Sequence, residues 1–412
     1  MKSEMKIVEG LKSLVQGTNN KAILISVTIL IIIGLINIFS ASYPKALDEN
    51  AGRMFYFVKQ IVWIALGTLG MVIVSKINYR CYRRQAWMTF FAAVGIGLLI
   101  LTELIGISVK GSTRWLEIFG FRFQPSEVAK AVSVFLAAGC VGSQLKSIHQ
   151  CSFKSPWLGA VFVMFGFVVL QPDLGTATII IAIAVAIYCA SDIPKKMYLI
   201  LTLIVGGGLC FLAGREDYRS DRIQAWYDPW QYPDSIGYQA VQAEMAIGSG
   251  GWTGMGWGQG PSKFFYLPEA HTDFAFAIFC QEWGFIWTLL CIIVPFIVFS
   301  FYGVCIARQS EDYYGKMLAF GITLLLSGQA FANMLMVLGT FPVIGVPLPF
   351  ISYGGTSLVI NMLCVGALLN ISEQNKEQRL RAQRNKEAVE QLAKQPVKLK
   401  LVSPLRDGRF NK

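Results

Sequence analysis

Stretches of about twenty residues almost without charge recur along this chain, and that pattern leaves few ways to fold. The first, 22–42, reads AILISVTILIIIGLINIFSAS. Others follow at about 54–75, 86–106, 126–143, 157–171, 175–191, 196–213, 273–305, 316–340 and 350–371. In lipid each backbone polar group must be satisfied within its own segment, so runs of this length become helices. The expected fold is an all-α integral membrane protein with ten transmembrane helices. Ser40-Ala41-Ser42 resembles a signal-peptidase site, but the preceding run is long for a signal, and it reads as a retained first helix.

Charge orients the bundle. Only 15% of the 412 residues are charged, against about 25% in soluble domains, yet the formal net charge is +11. Lys76, Arg80, Arg83, Arg84, Lys146, Lys154, Lys195 and Arg308 fall in alternate connections, and a cluster from Lys376 to Lys412 fills the tail. By the positive-inside rule both termini are cytoplasmic, and no nucleic-acid partner is needed to explain the charge. The division is then a cytoplasmic segment 1–21, a membrane domain 22–372 and a basic tail 373–412. The tail is read as a charged surface helix over 373–395, then disorder. The nine cysteines show neither CxxC pairs nor metal spacing and read as small apolar packers.

Three connections on the opposite face carry the polar chemistry. The first, 106–124, contains Arg114 and Trp115 and leads into Glu127 and Lys130. The second is the large extracellular loop 214–272 between helices 7 and 8; a connection this long without a function is uncommon. It includes the helical pattern YQAVQAEMAI and the glycine-rich GSGGWTGMGWGQGP, and reaches Lys263, Glu269, His271 and Asp273. The third, 339–357, holds three prolines, several glycines and Ser352. Within the bundle, Gln171-Pro172-Asp173-Leu174 separates two short apolar runs; it reads either as a tight hairpin lining a cavity or as a surface loop.

An acid at the mouth of a membrane helix is costly unless it faces a polar cavity, so Asp273 is a functional candidate; the competing reading is a simple helix cap. Glu127 and Lys130, three apart on a helix, form an expected structural ion pair. Trp115, Trp226 and Trp230 fit an interfacial belt, or together with Arg114 a grip on an amphiphilic ligand.

GSTRWLEIFGFRFQPSEVAK (111–130), QPDLGTA (171–177), YLPEAHTDFAFAIFCQEWGF (266–285) and FPVIGVPLPFISYGGTSL (341–358) resemble the SEDS family (shape, elongation, division and sporulation), which includes FtsW, RodA and SpoVE. The wording is nearest to the division and sporulation members. The resemblance implies a peptidoglycan glycosyltransferase that polymerises lipid II outside the bacterial cytoplasmic membrane beside a class B penicillin-binding protein, among other divisome or elongasome proteins. By position it makes Asp273 the catalytic acid. Arg114, Trp115, Asp173 and Ser352 match its motifs, and Gln171, Lys263, Glu269 and His271 join them as substrate-binding candidates. A divalent cation (Mg or Mn) that helps the leaving pyrophosphate is left open, since no DxD-type acid pair is present. The rival from another class is a lipid II flippase, because broken helices and buried charge also suit transport. A transporter should line a path from both faces, whereas these polar residues collect on one.

Overall fold

The computed structural model describes residues 2–50, 52–109, 112–118, 121–144, 155–191, 206, 208, 217–264 and 266–394. Its long helices are α1 (Lys2–Ala41), α3 (Phe55–Lys76), α4 (Gln85–Ile105), α5 (Pro125–Gln144), α6 (Pro156–Leu170) and α7 (Leu174–Cys189), with α2 (Tyr43–Asp48) a single turn after α1. On the far side of the large loop come α10 (Ala275–Thr288), α11 (Val294–Gln309), α12 (Tyr313–Val337) and α13 (Gly355–Lys394). Among the described residues, seven stretches are long and apolar enough to cross a membrane, and α6 and α7 are shorter apolar helices. The expected span 196–213 lies outside the described residues except at 206 and 208.

Helix α5 is the axis of the bundle. Within its apolar span 83% of residues are buried, against 11% in α3, which therefore lies at the outside of the bundle. Ala129, Ala137 and Ala138 are fully buried along α5, and small residues of this kind let neighbouring helices approach closely. Helices α1, α11 and α13 meet on one face: Asn19 donates to Gln309 (2.9 Å) and Asn20 to Glu373 (3.1 Å). The opposite, loop-bearing face carries the large connection and the site.

Three expectations need correction. The first concerns the all-α class. Residues 107–123 form a small antiparallel sheet, β1 (Ile107–Val109), β2 (Ser112–Ile118) and β3 (Phe121–Phe123), pairing Ile107 with Trp115 and Leu116 with Phe123. Second, the charged helix expected at 373–395 is no separate element. Helix α13 runs unbroken for 40 residues, roughly 60 Å at 1.5 Å per residue, about twice a hydrocarbon core.

Third, the apolar run 273–305 is not one straight span. Gly284 has φ +75° inside α10, and a π-helical turn, Leu289–Ile293, precedes α11. The groups freed at this break are paired by the glycine-rich loop. Met255 and Gly256 N–H donate to the carbonyls of Gln281 and Glu282 (3.0 Å each), and Phe285 and Ile286 N–H donate to Gly251 (2.9 Å) and Trp252 (3.1 Å). A Cβ on residue 284 would lie 2.2 Å from the nitrogen of Gly254. Gly284→Ala is therefore expected to cost more than the ~1–3 kcal/mol of an unfavourable φ alone, read as a lower unfolding midpoint and weaker membrane accumulation.

In the large loop, α8 (Asp217–Tyr227) is followed by α9 (Tyr238–Gly250), close to the helix expected from YQAVQAEMAI. Val241, Ala243, Ala246 and Gly250 of α9 are buried, and the position of a Cβ on Gly250 lies 2.1 Å from the carbonyl of Cys280. Helix α9 therefore lies directly on α10, and its apolar face is covered by protein.

Candidate active site

Asp273 sits two residues before α10, partly exposed, in a run of turns. The N-cap position of the helix is Phe274, so Asp273 stands one residue before it rather than at the cap. A carboxylate so close to a helix N-terminus also gains from the exposed N–H dipoles there. The loop 339–354 closes over it. Gly345 takes φ +64°, which lets bare backbone lie against the acid: a Cβ there would be 3.5 Å from Asp273 Oδ2.

Asn333 of α12 holds both loops in place. Its amide donates to the carbonyl of Asp273 (2.8 Å) and to that of Val346 (2.7 Å). One turn away, Gln329 donates to the carbonyl of Pro347 (2.9 Å) and accepts from Lys130 Nζ (2.8 Å). Lys130 pairs with Glu127 at 2.7 Å, both 2% exposed, so the ion pair expected from spacing forms and anchors the proline-rich loop through Gln329. Glu127 Oε2 and Ser126 Oγ are buried there without a hydrogen-bond partner. Ser352 Oγ accepts from the Leu348 N–H (2.9 Å), so it shapes the loop from within. Phe350, at φ +66°, and Glu269, at φ +56°, are held in a region that side chains rarely occupy; such strain gathers at functional loops. Glu269 accepts from Thr272 Oγ1 (2.8 Å).

Arg114 and the QPD segment, far apart in sequence, meet. The Arg114 guanidinium donates to the carbonyls of Gln171 (2.9 Å) and Pro172. The Gln171 amide reaches the Leu99 carbonyl (3.2 Å), and Asp173 caps α7 by accepting from Thr176 N–H (3.1 Å). Gln171 and Asp173 are both buried, which favours the hairpin reading of this break over the surface loop. Trp115, on β2, is half-buried beside them.

Lys263 is placed differently from expectation. It is buried, and its ammonium donates to Glu282 Oε1 (2.7 Å), Ser40 Oγ (2.7 Å) and the carbonyl of Gly258 (2.8 Å). Three donors with three partners make it a clamp on the glycine-rich loop, with no donor left for a phosphate. Glu282 lies inside the 266–285 block but was not singled out as a site residue.

Sequence reasoning also missed the first outer connection. Lys45 Nζ of α2 lies 3.2 Å from His271 Nε2, so the imidazole nitrogen accepts there. His271 packs against the rings of Tyr56 and Tyr353, and the Tyr353 N–H donates to its carbonyl (2.9 Å). Burial, reinforced by the charge of Glu49, pushes the Tyr353 phenol up to about 12, so it remains a donor at neutral pH. Lys45 and Arg122 are solvent-accessible cations on this rim. No group of three His, Cys, Asp or Glu residues spaced to hold a metal occurs among the described residues.

A family model described as "Cell cycle protein", covering FtsW, RodA and SpoVE, matches residues 20–377. A probable peptidoglycan glycosyltransferase FtsW of Geobacter sp. (strain M18) is 36% identical over 351 residues, 85% of this chain and 95% of that protein. Stage V sporulation protein E of Bacillus subtilis (strain 168) is 36% identical over 362 residues, 86% and 97%. In fold, the chain resembles a structure described as "Structural coordination of polymerization and crosslinking by a peptidoglycan synthase complex" (TM-score 0.70, 22% identity, 86% of this chain and 97% of that one). It also resembles the rod shape determining protein RodA of Thermus thermophilus (TM-score 0.62, 21% identity, 86% and 96%). The four motif blocks, the polar face they build and the match along residues 20–377 give one conclusion: this chain belongs to the FtsW, RodA and SpoVE family.

Proposed function

We propose that this protein is a peptidoglycan glycosyltransferase that polymerises lipid II at the outer face of the bacterial cytoplasmic membrane, with both termini in the cytoplasm. The observation that carries the reading is Asp273: a partly exposed carboxylate one residue before the helix cap position, beside bare backbone and among buried polar residues. Asp273 takes the proton from the 4-hydroxyl of one lipid-linked sugar while that oxygen attacks the anomeric carbon of another. The glycosidic bond forms as the bond to the lipid pyrophosphate breaks, with inversion, and the electron pair leaves on the pyrophosphate. Lys45, Arg114 and Arg122 are the rim cations that meet its charge. A divalent cation, if used, would be held through the substrate's phosphates and would supply charge for the leaving pyrophosphate, leaving Asp273 to act as base. A class B penicillin-binding protein, which cross-links the strands, is the expected partner; a related fold carries a title joining polymerisation to crosslinking.

Distribution of charge favours this reading over a flippase. Among the described residues the buried charged side chains are Glu127, Lys130, Asp173, Lys263 and Glu282, and all belong to the loop-bearing half. The test uses the purified protein with its class B partner and labelled lipid II. Glycan strands should appear on a gel, while headgroup exposure across vesicles should show no acceleration. Accelerated translocation without strands would reverse the assignment.

A further inference from the structure

The large loop and the 339–343 segment line a partly open cavity of about 350 Å³, within the range of small-molecule sites (roughly 300–1,000 Å³). Its walls come from α8, α9 and the 339–343 segment, and Asp273 is not among them. Two of its lining residues, Pro268 and Val343, belong to the two loops that carry and flank Asp273. The cavity and Asp273 therefore draw on the same two loops.

The walls are pinned in place. Arg222 Nη1 donates to the Val343 carbonyl (2.7 Å), and Trp226 Nε1 donates to that of Gly339 (3.1 Å). Glu244 Oε2 accepts from Trp230 Nε1 (2.9 Å). The lining combines three rings, Trp226, Tyr238 and Phe341, with one cation, one carboxylate and the amide of Gln239. Rings offer flat faces to the C–H side of a sugar. Amide and carboxylate oxygens accept from hydroxyl and acetamido groups, and a guanidinium matches a carboxylate. A polyprenyl tail would want walls without these polar groups, and an extended peptide would want an open strand edge.

We propose that this cavity is a carbohydrate subsite that holds the strand already polymerised, an oligosaccharide of N-acetylated sugars bearing carboxylates, while the next unit is joined at Asp273. The proposal rests on the glycosyltransferase reading. Holding the strand makes successive additions possible without release, so the subsite sets strand length.

The test uses the full chain in lipid nanodiscs, alone for probe binding and with its class B partner for lipid II consumption and strand length. The probe is a soluble tetrasaccharide of alternating N-acetylglucosamine and N-acetylmuramic acid, followed by calorimetry or saturation-transfer NMR. Tyr238→Ala combined with Gln239→Ala is expected to weaken probe binding at least tenfold. At matched lipid II consumption it should also shorten strands at least twofold. Tyr238→Phe keeps the ring, should keep both properties, and controls for misfolding, as does an unchanged unfolding midpoint of the double variant. Equal probe binding by variant and wild type, or equal strand length, overturns the subsite. So does absence of probe binding to the wild type, the result expected if a partner's polypeptide fills the cavity. A wild type that consumes no lipid II would instead sink the glycosyltransferase reading, so the two failures are distinguishable.

Discussion

Asp273→Asn should insert and fold like the wild type and yet lose about 10²–10⁴ of the polymerisation rate, the usual worth of a positioned general base. The substitution keeps shape and removes only the ability to take a proton. Its backbone contact survives, because Asn333 holds the carbonyl of residue 273 and not its side chain. Asp273→Glu separates position from basicity. It restores a carboxylate but moves it by about a methylene, and misplacement of about 1 Å can cost on the order of 10² in rate. The measurement is strand synthesis from lipid II, normalised to folded protein by gel filtration. Polymerisation by Asp273→Asn within tenfold of wild type would remove Asp273 from the role of base.

The second large effect concerns stability. Lys263 and Glu282 pair at 2.7 Å with side chains 3% and 0% exposed, and Ser40 and the Gly258 N–H complete the carboxylate's bonding. Removing one member leaves the other as a buried, uncompensated charge, a loss of about 3–5 kcal/mol. Lys263→Met and Glu282→Met should each lower the unfolding midpoint in detergent sharply. The double change to Lys263→Met with Glu282→Met removes both charges and should recover more than half of that loss. Additive effects in this cycle would show that the two side chains do not depend on each other.

The parts of the site that sequence revealed share a cause: their polar residues stand out against apolar surroundings. Asp273, Glu127, Lys130 and Gln171 are visible because membrane segments rarely tolerate such groups without reason. Lys45, Glu282 and Asn333 escaped because a lysine in a short loop, a glutamate in a helix and an asparagine in a long apolar run have no spacing to mark them. Their roles come from contacts between residues far apart in the chain, 226 positions for Lys45 with His271 and 60 for Asn333 with Asp273. Lys263 was misjudged for the same reason, since its partner lies across the glycine-rich loop. The helices themselves were legible from hydropathy, but the break at Gly284 was not. Hydropathy averages over a window and registers neither a positive φ nor a second segment arriving to fill the gap. The sheet at 107–123 is likewise too short for alternation to emerge.

The pairing of residues 251–256 with the turn of chain at 281–286 bears on how this protein can be engineered. An epitope or fluorophore spliced into the glycine-rich loop would strip partners from carbonyls and amides that hydrocarbon cannot solvate. Reporters belong instead on the far end of α13, where residues 382–391 are all exposed.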